Sequence, residues 1–426
     1  MAGGKGTRIA TINSEVPKPM IELLGKPILL YEIEALVQQG INDFILVIGH
    51  LGNVIKNYFG DGSKFGVNIS YIVEDTPLGT AGALYYLKGE MDEDFLLLNG
   101  DTLFDINVTK FLEEHKKNKA EVTIITHPNS HPYDSGIIEA NEHHQVTKWL
   151  SKEEPRLYYK NRVNAGIHML SPLVLDRITE LRKMDLDRDL LKPLIKEGKL
   201  YIYDSPEYIK DMGTPDRYYQ VIEDIKNNKP FKRNLKNKQK AIFLDRDGTI
   251  NKSVGFLTNI DELELLDGAA EAIKLINNSD YLAILVTNQP VIARGEVTLD
   301  ELQEIHNKLE TLLGEKGAFL DGIYFCPHHP DKGFEGERIE YKIDCSCRKP
   351  KPGMLLNAAK DFNIDLAKSW MIGDYKNDVL AGINAGTKTV LVNNKNDYEN
   401  IVPTLKVETG LLDAIKLILE ENDNDW

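Results

Sequence analysis

Cysteine is scarce in this chain: Cys326, Cys345 and Cys347 are the only three in 426 residues, and they fall in one short stretch. An odd count cannot be fully paired by internal disulfides, so a disulfide scaffold is excluded, and a reducing, cytoplasmic setting with a metal on the thiols is expected. Long apolar runs are missing as well. No stretch of about 18 apolar residues exists to span a bilayer, and Met1-Ala-Gly-Gly-Lys-Gly-Thr-Arg8 lacks the apolar core of a secretory leader. Positive charge is in deficit, with 51 Lys and Arg against 66 Asp and Glu and a net charge of −15. Nucleic acid and anionic membrane are therefore not expected partners. What is present is ordinary for a globular chain: 42% hydrophobic and 27% charged residues, 32 Gly and 18 Pro, which excludes collagen, a disordered polymer and a long coiled coil. At roughly 100–200 residues per domain, the length predicts two or three cores.

Short apolar runs that end in polar residues alternate with helical patterns: Phe44 to Ile48 before Gly49-His50, Phe95 to Leu98 before Asn99-Gly100-Asp101, Ile242 to Leu244 before Asp245, Ile284 to Val286 before Thr287-Asn288. Strands buried on both faces read this way, so the fold class is α/β with parallel sheets in two Rossmann-like domains. Thr298 and Glu301 form a capping-box signature ahead of Leu302, Ile305, Leu309 and Leu312 at helical spacing. Lys226 to Lys240 holds seven basic and no acidic residues. It reads as an exposed linker at 227–239, between a first domain at 1–226 and a second at 240–426, because no aromatic interleaving makes it a nucleic-acid arm.

In the second half, Asp245-Arg246-Asp247-Gly248-Thr249 follows an apolar strand, so both carboxylates emerge at its carboxyl edge, where open α/β sheets place ligands. Residues two apart on extended chain point the same way, which suits one carboxylate as nucleophile and the other as acid-base. Thr287-Asn288, Arg348-Lys349 and Met371-Ile372-Gly373-Asp374, with Asp378 beyond, supply the hydroxyl, cations and further acids that phosphoryl transfer needs. Cys326-Pro-His328 and Cys345-Ser-Cys347 add three thiolates and an imidazole, the composition of a closed zinc site, with His329 a spare. Together these motifs resemble the haloacid dehalogenase superfamily and, within it, the zinc-bearing D-glycero-D-manno-heptose 1,7-bisphosphate 7-phosphatases, over about Lys240 to Leu419. Pro290-Val291 departs from that pattern, and histidinol-phosphate phosphatases are close relatives. The resemblance implies that Asp245 forms an aspartyl-phosphate and that Asp247 protonates the leaving sugar oxygen and then activates water. It also implies that Thr287 and Lys349 hold phosphoryl oxygens, that Asn288 and Arg348 meet the substrate, and that Asp245, the Asp247 carbonyl and Asp374 hold Mg2+ with Asp378 in support. Zn2+ falls to Cys326, His328, Cys345 and Cys347.

In the first half, Gly3-Gly4-Lys5-Gly6-Thr7-Arg8 is suited to close approach of backbone amides to phosphates but is not a P-loop. Val16-Pro-Lys18-Pro, Gly79-Thr80, Asn99-Gly-Asp101, Asn164-Ala-Gly166 and Lys210-Asp211-Met-Gly213 follow in order. Two separated acids and two cations suit metal-assisted attack of a sugar phosphate on a nucleoside triphosphate. The set resembles the sugar-1-phosphate nucleotidyltransferases over roughly Ala2 to Ile225, with mannose- and heptose-1-phosphate guanylyltransferases nearest in feel. By that resemblance Gly3, Gly4, Gly6, Thr7, Arg8 and Lys18 meet phosphates, Gly79 and Thr80 lie by the nucleoside, and Asp101 and Asp211 hold Mg2+. Gly136, Lys152 and Asn164 line the sugar side, although Ser151 stands where many relatives carry Glu. Relatives begin with an apolar strand ahead of the Gly-Gly turn, so the expectation is a chain that extends upstream of Met1.

The joint expectation is a bifunctional enzyme of nucleotide-activated heptose synthesis for surface polysaccharide, taking heptose bisphosphate, heptose 1-phosphate and a nucleoside triphosphate, GTP by family resemblance alone. Three alternatives stand: a histidinol-phosphate or other sugar-phosphate phosphatase, a transferase for another sugar phosphate or UTP, and a first half that is an inactive binding or oligomerisation module. Oligomeric state is not readable.

Overall fold

The structure, a computed structural model, describes Met1 and residues 16–333, 335–393 and 401–423. The chain divides into two compact units. One comprises Met1–His127, Ile138–Trp149 and Asn164–Asn234; the other comprises Pro128–Ile137, Leu150–Val163 and Leu235–Trp426.

In the first unit, α1 (Ile28–Val37) leads to β1 (Asp43–Ile48), α2 (Gly52–Phe59) and β2 (Asn68–Val73), and β1 pairs in parallel with β2. After them come β3 (Phe95–Leu98), β4 (Thr102–Asp105), α3 (Val108–Asn118), β5 (Val122–His127), β6 (Ile137–Ala140), β7 (Val146–Leu150), β8 (Val163–Leu170), β9 (Leu200–Asp204) and β10 (Tyr208–Asp211). Their sheet runs β9-β5-β8-β6-β7, with β3 also on β8. β9 lies parallel to β5, whereas β3 lies antiparallel to β8, Ile167 opposite Leu98. The sheet is therefore mixed, not wholly parallel. A separate antiparallel pair, β4 with β10, sets Thr102 opposite Asp211.

Between β1 and β3 lies a cavity of about 1220 Å3, lined by Phe44, Leu46, Phe95, Leu97, Leu29 and Leu36 among others. Met1 sits at its end: its amino group donates to the Leu98 carbonyl at 2.7 Å and its carbonyl accepts from Gly100 N at 3.0 Å. That alternation is the bonding pattern of a parallel ladder.

The 227–239 stretch is built into the structure instead of hanging free. Helix α4 (Pro215–Lys226) is followed by α5 (Lys229–Arg233), and Arg233, Asn234 and Leu235 are buried. Asn234 Nδ2 donates to Asp105 in the first unit, and Gln239 N donates to the Asn363 carbonyl in the second. Basic composition concealed this, because Lys and Arg bury their stems while the charged heads stay wet.

In the second unit, β11 (Lys240–Leu244), α6 (Ala269–Asn278), β12 (Tyr281–Asn288), α7 (Leu299–Glu315), β13 (Gly322–Cys326), α8 (Gly353–Asp361), β14 (Trp370–Gly373), α9 (Lys376–Ala385), β15 (Lys388–Val392), β16 (Leu405–Val407) and α10 (Leu411–Asp423) form a doubly wound fold. The sheet is parallel throughout in the order β13-β12-β11-β14-β15-β16. Ile242 and Leu244 face one apolar layer, with Ile273, Ile276 and Ile415, while Ala241 and Phe243 face another, with Leu355 and Ala358. Burial on both faces explains the unbroken apolar runs. The α7 capping box is formed, with Thr298 and Glu301 bonding reciprocally. Strand order reverses between β11 and β14, so a crevice opens at their carboxyl ends.

Candidate functional sites

At that crevice Asp245 follows β11, its amide bonded to the Ile372 carbonyl of β14 at 2.9 Å. Lys349 Nζ, buried, reaches Asp245 Oδ1 at 2.5 Å and Asp378 Oδ1 at 2.6 Å. Burial pushes the Asp245 carboxyl up to about 7 despite Lys349. Burial alone works against the Lys349 ammonium, but Asp245 and Asp378 outweigh it and hold it above the ordinary lysine range. Asp374 is raised to about 6 by burial and by Asp378. The carboxylates of Asp245, Asp374 and Asp378 lie within 4.8 Å of one another. Three converging hard oxygens fit a magnesium ion. Gly248, at φ +84°, makes this possible, since a Cβ there would stand 2.1 Å from Asp374 Oδ2.

A cavity of about 190 Å3 at this point is lined by Asp245, Asp247, Thr287, Gln289, Arg348 and Lys349, among others. It is small, of a size for a phosphoryl group, with Phe256, Leu257 and Val291 completing its wall. Asn288 is already engaged: its side chain donates to the Lys349 carbonyl and accepts from the Lys349 amide, both at 3.0 Å. It thereby seats the backbone of the lysine. Arg348 Nη1 donates to the His328 carbonyl at 3.1 Å. Arg246, Asn251 and Gln289, which sequence reasoning did not single out as site residues, bond the Asp247 carboxylate. The signal was available in Arg246, a guanidinium locked between two acids at a buried strand end, where it needs a partner.

The four zinc candidates converge. Cys326 Sγ lies 3.4 Å from Cys345 Sγ and 3.1 Å from Cys347 Sγ, and His328 Nδ1 lies 3.7 Å and 3.4 Å from Cys326 and Cys347. Hydrogen bonding from Cys326 and Cys345 holds the Cys347 thiol down to about 5, and the same contact pushes Cys326 up. One imidazole and three sulfurs at these separations fit a tetrahedral zinc ion, a little compressed for Zn–S bonds of about 2.3 Å. His329 stands aside, its Nδ1 accepting from Asp331 N.

In the first unit, Lys18 Nζ pairs with Asp101 Oδ2 at 2.5 Å, in the turn between β3 and β4. Buried Glu32 of α1 holds that turn by accepting from Thr102 N. Asp211, at the end of β10, takes Arg217 Nη1 at 2.8–2.9 Å and Gly213 N at 2.8 Å. Burial would raise its carboxyl, but Arg217, the Gly213 amide and Lys18 together outweigh burial and hold it below the ordinary range. Because β4 and β10 are paired, Asp101 and Asp211 flank one edge. Gly79, at φ +79°, lies against Met184, and Thr80 Oγ1 accepts from Leu186 N at 2.7 Å. Asn164 Oδ1 accepts from Gly166 N at 3.0 Å. Gly136 and exposed Lys152 fall in segments counted with the second unit. Gly3, Gly4, Gly6, Thr7 and Arg8 lie outside the described residues.

Comparison with known proteins matches residues 1–228 to the nucleotidyl transferase family and residues 346–402 to a HAD-hydrolase-like family. The D-glycero-beta-D-manno-heptose-1,7-bisphosphate 7-phosphatase of Pasteurella multocida is 49% identical over 156 residues, 36% of this chain and 82% of that protein. The mannose-1-phosphate guanylyltransferase of Mycobacterium tuberculosis is 32% identical over 229 residues, 53% of this chain and 63% of that protein. Among solved structures, the D,D-heptose 1,7-bisphosphate phosphatase of B. bronchiseptica, complexed with magnesium and phosphate, is 33% identical at a TM-score of 0.38, covering 43% of this chain and 99% of that one.

Proposed function

Because the chain belongs to the nucleotidyl transferase family through residues 1–228, and to the heptose bisphosphate 7-phosphatases through its second half, we propose that it is a bifunctional enzyme of nucleotide-activated heptose synthesis. Its second half removes the 7-phosphate of D-glycero-D-manno-heptose 1,7-bisphosphate, and its first half transfers a nucleotidyl group, from GTP, to the heptose 1-phosphate produced. The observation that carries this reading is the seating of Asp245, Asp247, Thr287 and Lys349 around one phosphoryl-sized cavity, in a chain of which 156 residues are 49% identical to a phosphatase of that name.

Asp245 Oδ attacks phosphorus as the bond to the sugar oxygen breaks, and Asp247 gives that oxygen its proton. Asp247, now a carboxylate, takes a proton from water, whose oxygen displaces Asp245 and releases phosphate. Lys349 and Thr287 hold the equatorial oxygens. Asp245, the Asp247 carbonyl and Asp374, with Asp378 in support, would hold magnesium, which supplies charge neutralisation at the phosphoryl oxygens. Cys326, His328, Cys345 and Cys347 would hold a structural zinc that fixes the loop carrying Arg348 and Lys349. In the first half, Asp101 and Asp211 would hold the second magnesium and Lys18 would bind phosphate, while Arg8 and the glycine-rich turn would bind the triphosphate. The sugar 1-phosphate oxygen then attacks the α-phosphorus and pyrophosphate leaves.

Incubation with heptose 1,7-bisphosphate and each nucleoside triphosphate in turn tests both halves. Phosphate release in every tube and pyrophosphate release with GTP are expected. Phosphate release without pyrophosphate from any triphosphate would reduce the first half to a binding module, and faster hydrolysis of histidinol phosphate would displace the heptose.

A further inference from the structure

The Asp247 carboxylate is bonded on both oxygens and from both sides. Arg246 turns its guanidinium back on its own neighbour, Nε donating to Oδ1 at 3.1 Å and Nη2 to Oδ2 at 2.9 Å. Asn251 Nδ2 adds a bond to Oδ1 at 2.9 Å, and Gln289 Nε2 one to Oδ2 at 3.2 Å. Gln289 is also the link outward: its Oε1 accepts from Arg246 Nη2 at 3.1 Å, and its Nε2 reaches Thr287 Oγ1 at 2.8 Å. Arg246 is wholly buried, and Asp247 is its carboxylate partner. On its far side Nη1 stands 3.5 Å from His306 Nε2, an imidazole that burial keeps neutral. A guanidinium so placed cannot reach a substrate in the cavity, from whose lining it is absent. Its planar fork matches both carboxylate oxygens at once, which the point charge of a lysine cannot do.

We infer that Arg246, with Gln289, is the positioning device for proton transfer by Asp247: the fork fixes the plane of the carboxylate, and Gln289 ties that plane to Thr287 and so to the phosphoryl oxygens. The inference rests on the reading of Asp247 as the group that protonates the leaving oxygen. In that step the phosphorus–oxygen bond to the sugar breaks, the bond to Asp245 forms, and the proton on Asp247 passes to the departing oxygen. A sugar alkoxide needs that proton; p-nitrophenolate does not.

Leaving-group dependence is therefore the readout, and a merely structural role would not produce it. In the full-length protein, Arg246→Met and Arg246→Lys are expected to slow phosphoryl transfer from heptose 1,7-bisphosphate, and from β-glycerophosphate run beside it, on the order of 100-fold. The pre-steady-state burst of p-nitrophenolate from p-nitrophenyl phosphate is expected to fall by no more than about threefold. Equal losses on the alkyl and aryl esters, unchanged rates on both, or full rescue by lysine would overturn the proposal. Should the arginine variants fail to fold, Gln289→Leu carries the same comparison, with a selective loss of about tenfold expected and an unselective one fatal. Asp247→Asn separates the two levels of the argument. If it too lacks leaving-group selectivity, the role of Asp247 is wrong, whereas selectivity in Asp247→Asn without it in the Arg246 variants defeats only the positioning role. β-Glycerophosphate keeps the test independent of the heptose assignment.

Discussion

Asp245 sits in a pocket that does little to ionise it, raised to about 7 by burial with only Lys349 in opposition. Asp245→Asn keeps the shape and removes the nucleophile, so phosphate release is expected to fall at least about 1,000-fold while the thermal transition remains; turnover near wild type would end that assignment. Two histidines set a pH dependence of stability. His168 is held down to about 4 by burial, and His306 to about 3 by burial and then Arg246. Both unfold to an ordinary value near 6.5, so below that pH the unfolded chain binds protons that the folded chain refuses. Each ring thus costs stability as pH falls from about 6.5 toward 4, by up to about 1.4 kcal/mol per unit, while Asp245 and Asp374, raised by burial to about 7 and about 6, take up protons in the folded state and oppose it. The histidine contribution is therefore read as a difference: in urea titrations at pH 7, 6 and 5, His168→Phe should gain stability relative to the parent as pH falls, and a constant difference would refute it. At this scale the sequence was legible where chemistry is carried by motif, as in Asp245-Arg246-Asp247 or Cys345-Ser-Cys347. It was silent where a residue's partner comes from another strand, as with Gln289 on Asp247, because spacing along the chain says nothing about bonds across a crevice.

Elements were legible for the same reason in reverse. The runs at Phe44, Phe95, Ile242 and Ile284 all became strands, since a strand covered on both faces has one simple signature. Pairing direction was not legible, and β3 lies antiparallel to β8 because an apolar run carries no mark of orientation. The loop from Cys326 to Cys347 carries four residues that could hold a metal ion. Cys347→Ser should release one zinc per chain, read by elemental mass spectrometry. It should also slow phosphate release more than tenfold, since Arg348 and Lys349 follow directly. Zinc retention at wild-type level would refute the ligand set.

Over the whole molecule, the chain leaves its first unit long before the basic segment, passing into the second at 128–137 and again at 150–163. The second excursion is fastened within that unit by Arg162, whose Nη1 meets Glu310 of α7 at 3.2 Å, both side chains almost wholly buried. Its guanidinium also donates to the Leu320 and Asp321 carbonyls, and Tyr159 N donates to Thr311 Oγ1. Removing one partner of such a pair strands the other charge, at a cost of about 3–5 kcal/mol. A fragment of residues 240–426 should therefore melt below the full-length protein, and Glu310→Met should recover part of the loss in the fragment while destabilising the intact chain. Equal melting of fragment and parent would show that the pair contributes nothing.

The Arg162–Glu310 pair also bears on inheritance. A gene cut at the codons of the basic segment would yield a phosphatase whose Glu310 has lost Arg162 and a transferase whose Arg162 has lost Glu310. Separating the halves at that point would therefore call for a compensating change on α7. Stand-alone phosphatases of this type would be expected to carry an apolar or neutral residue at the position of Glu310, and the joined form to keep its acid.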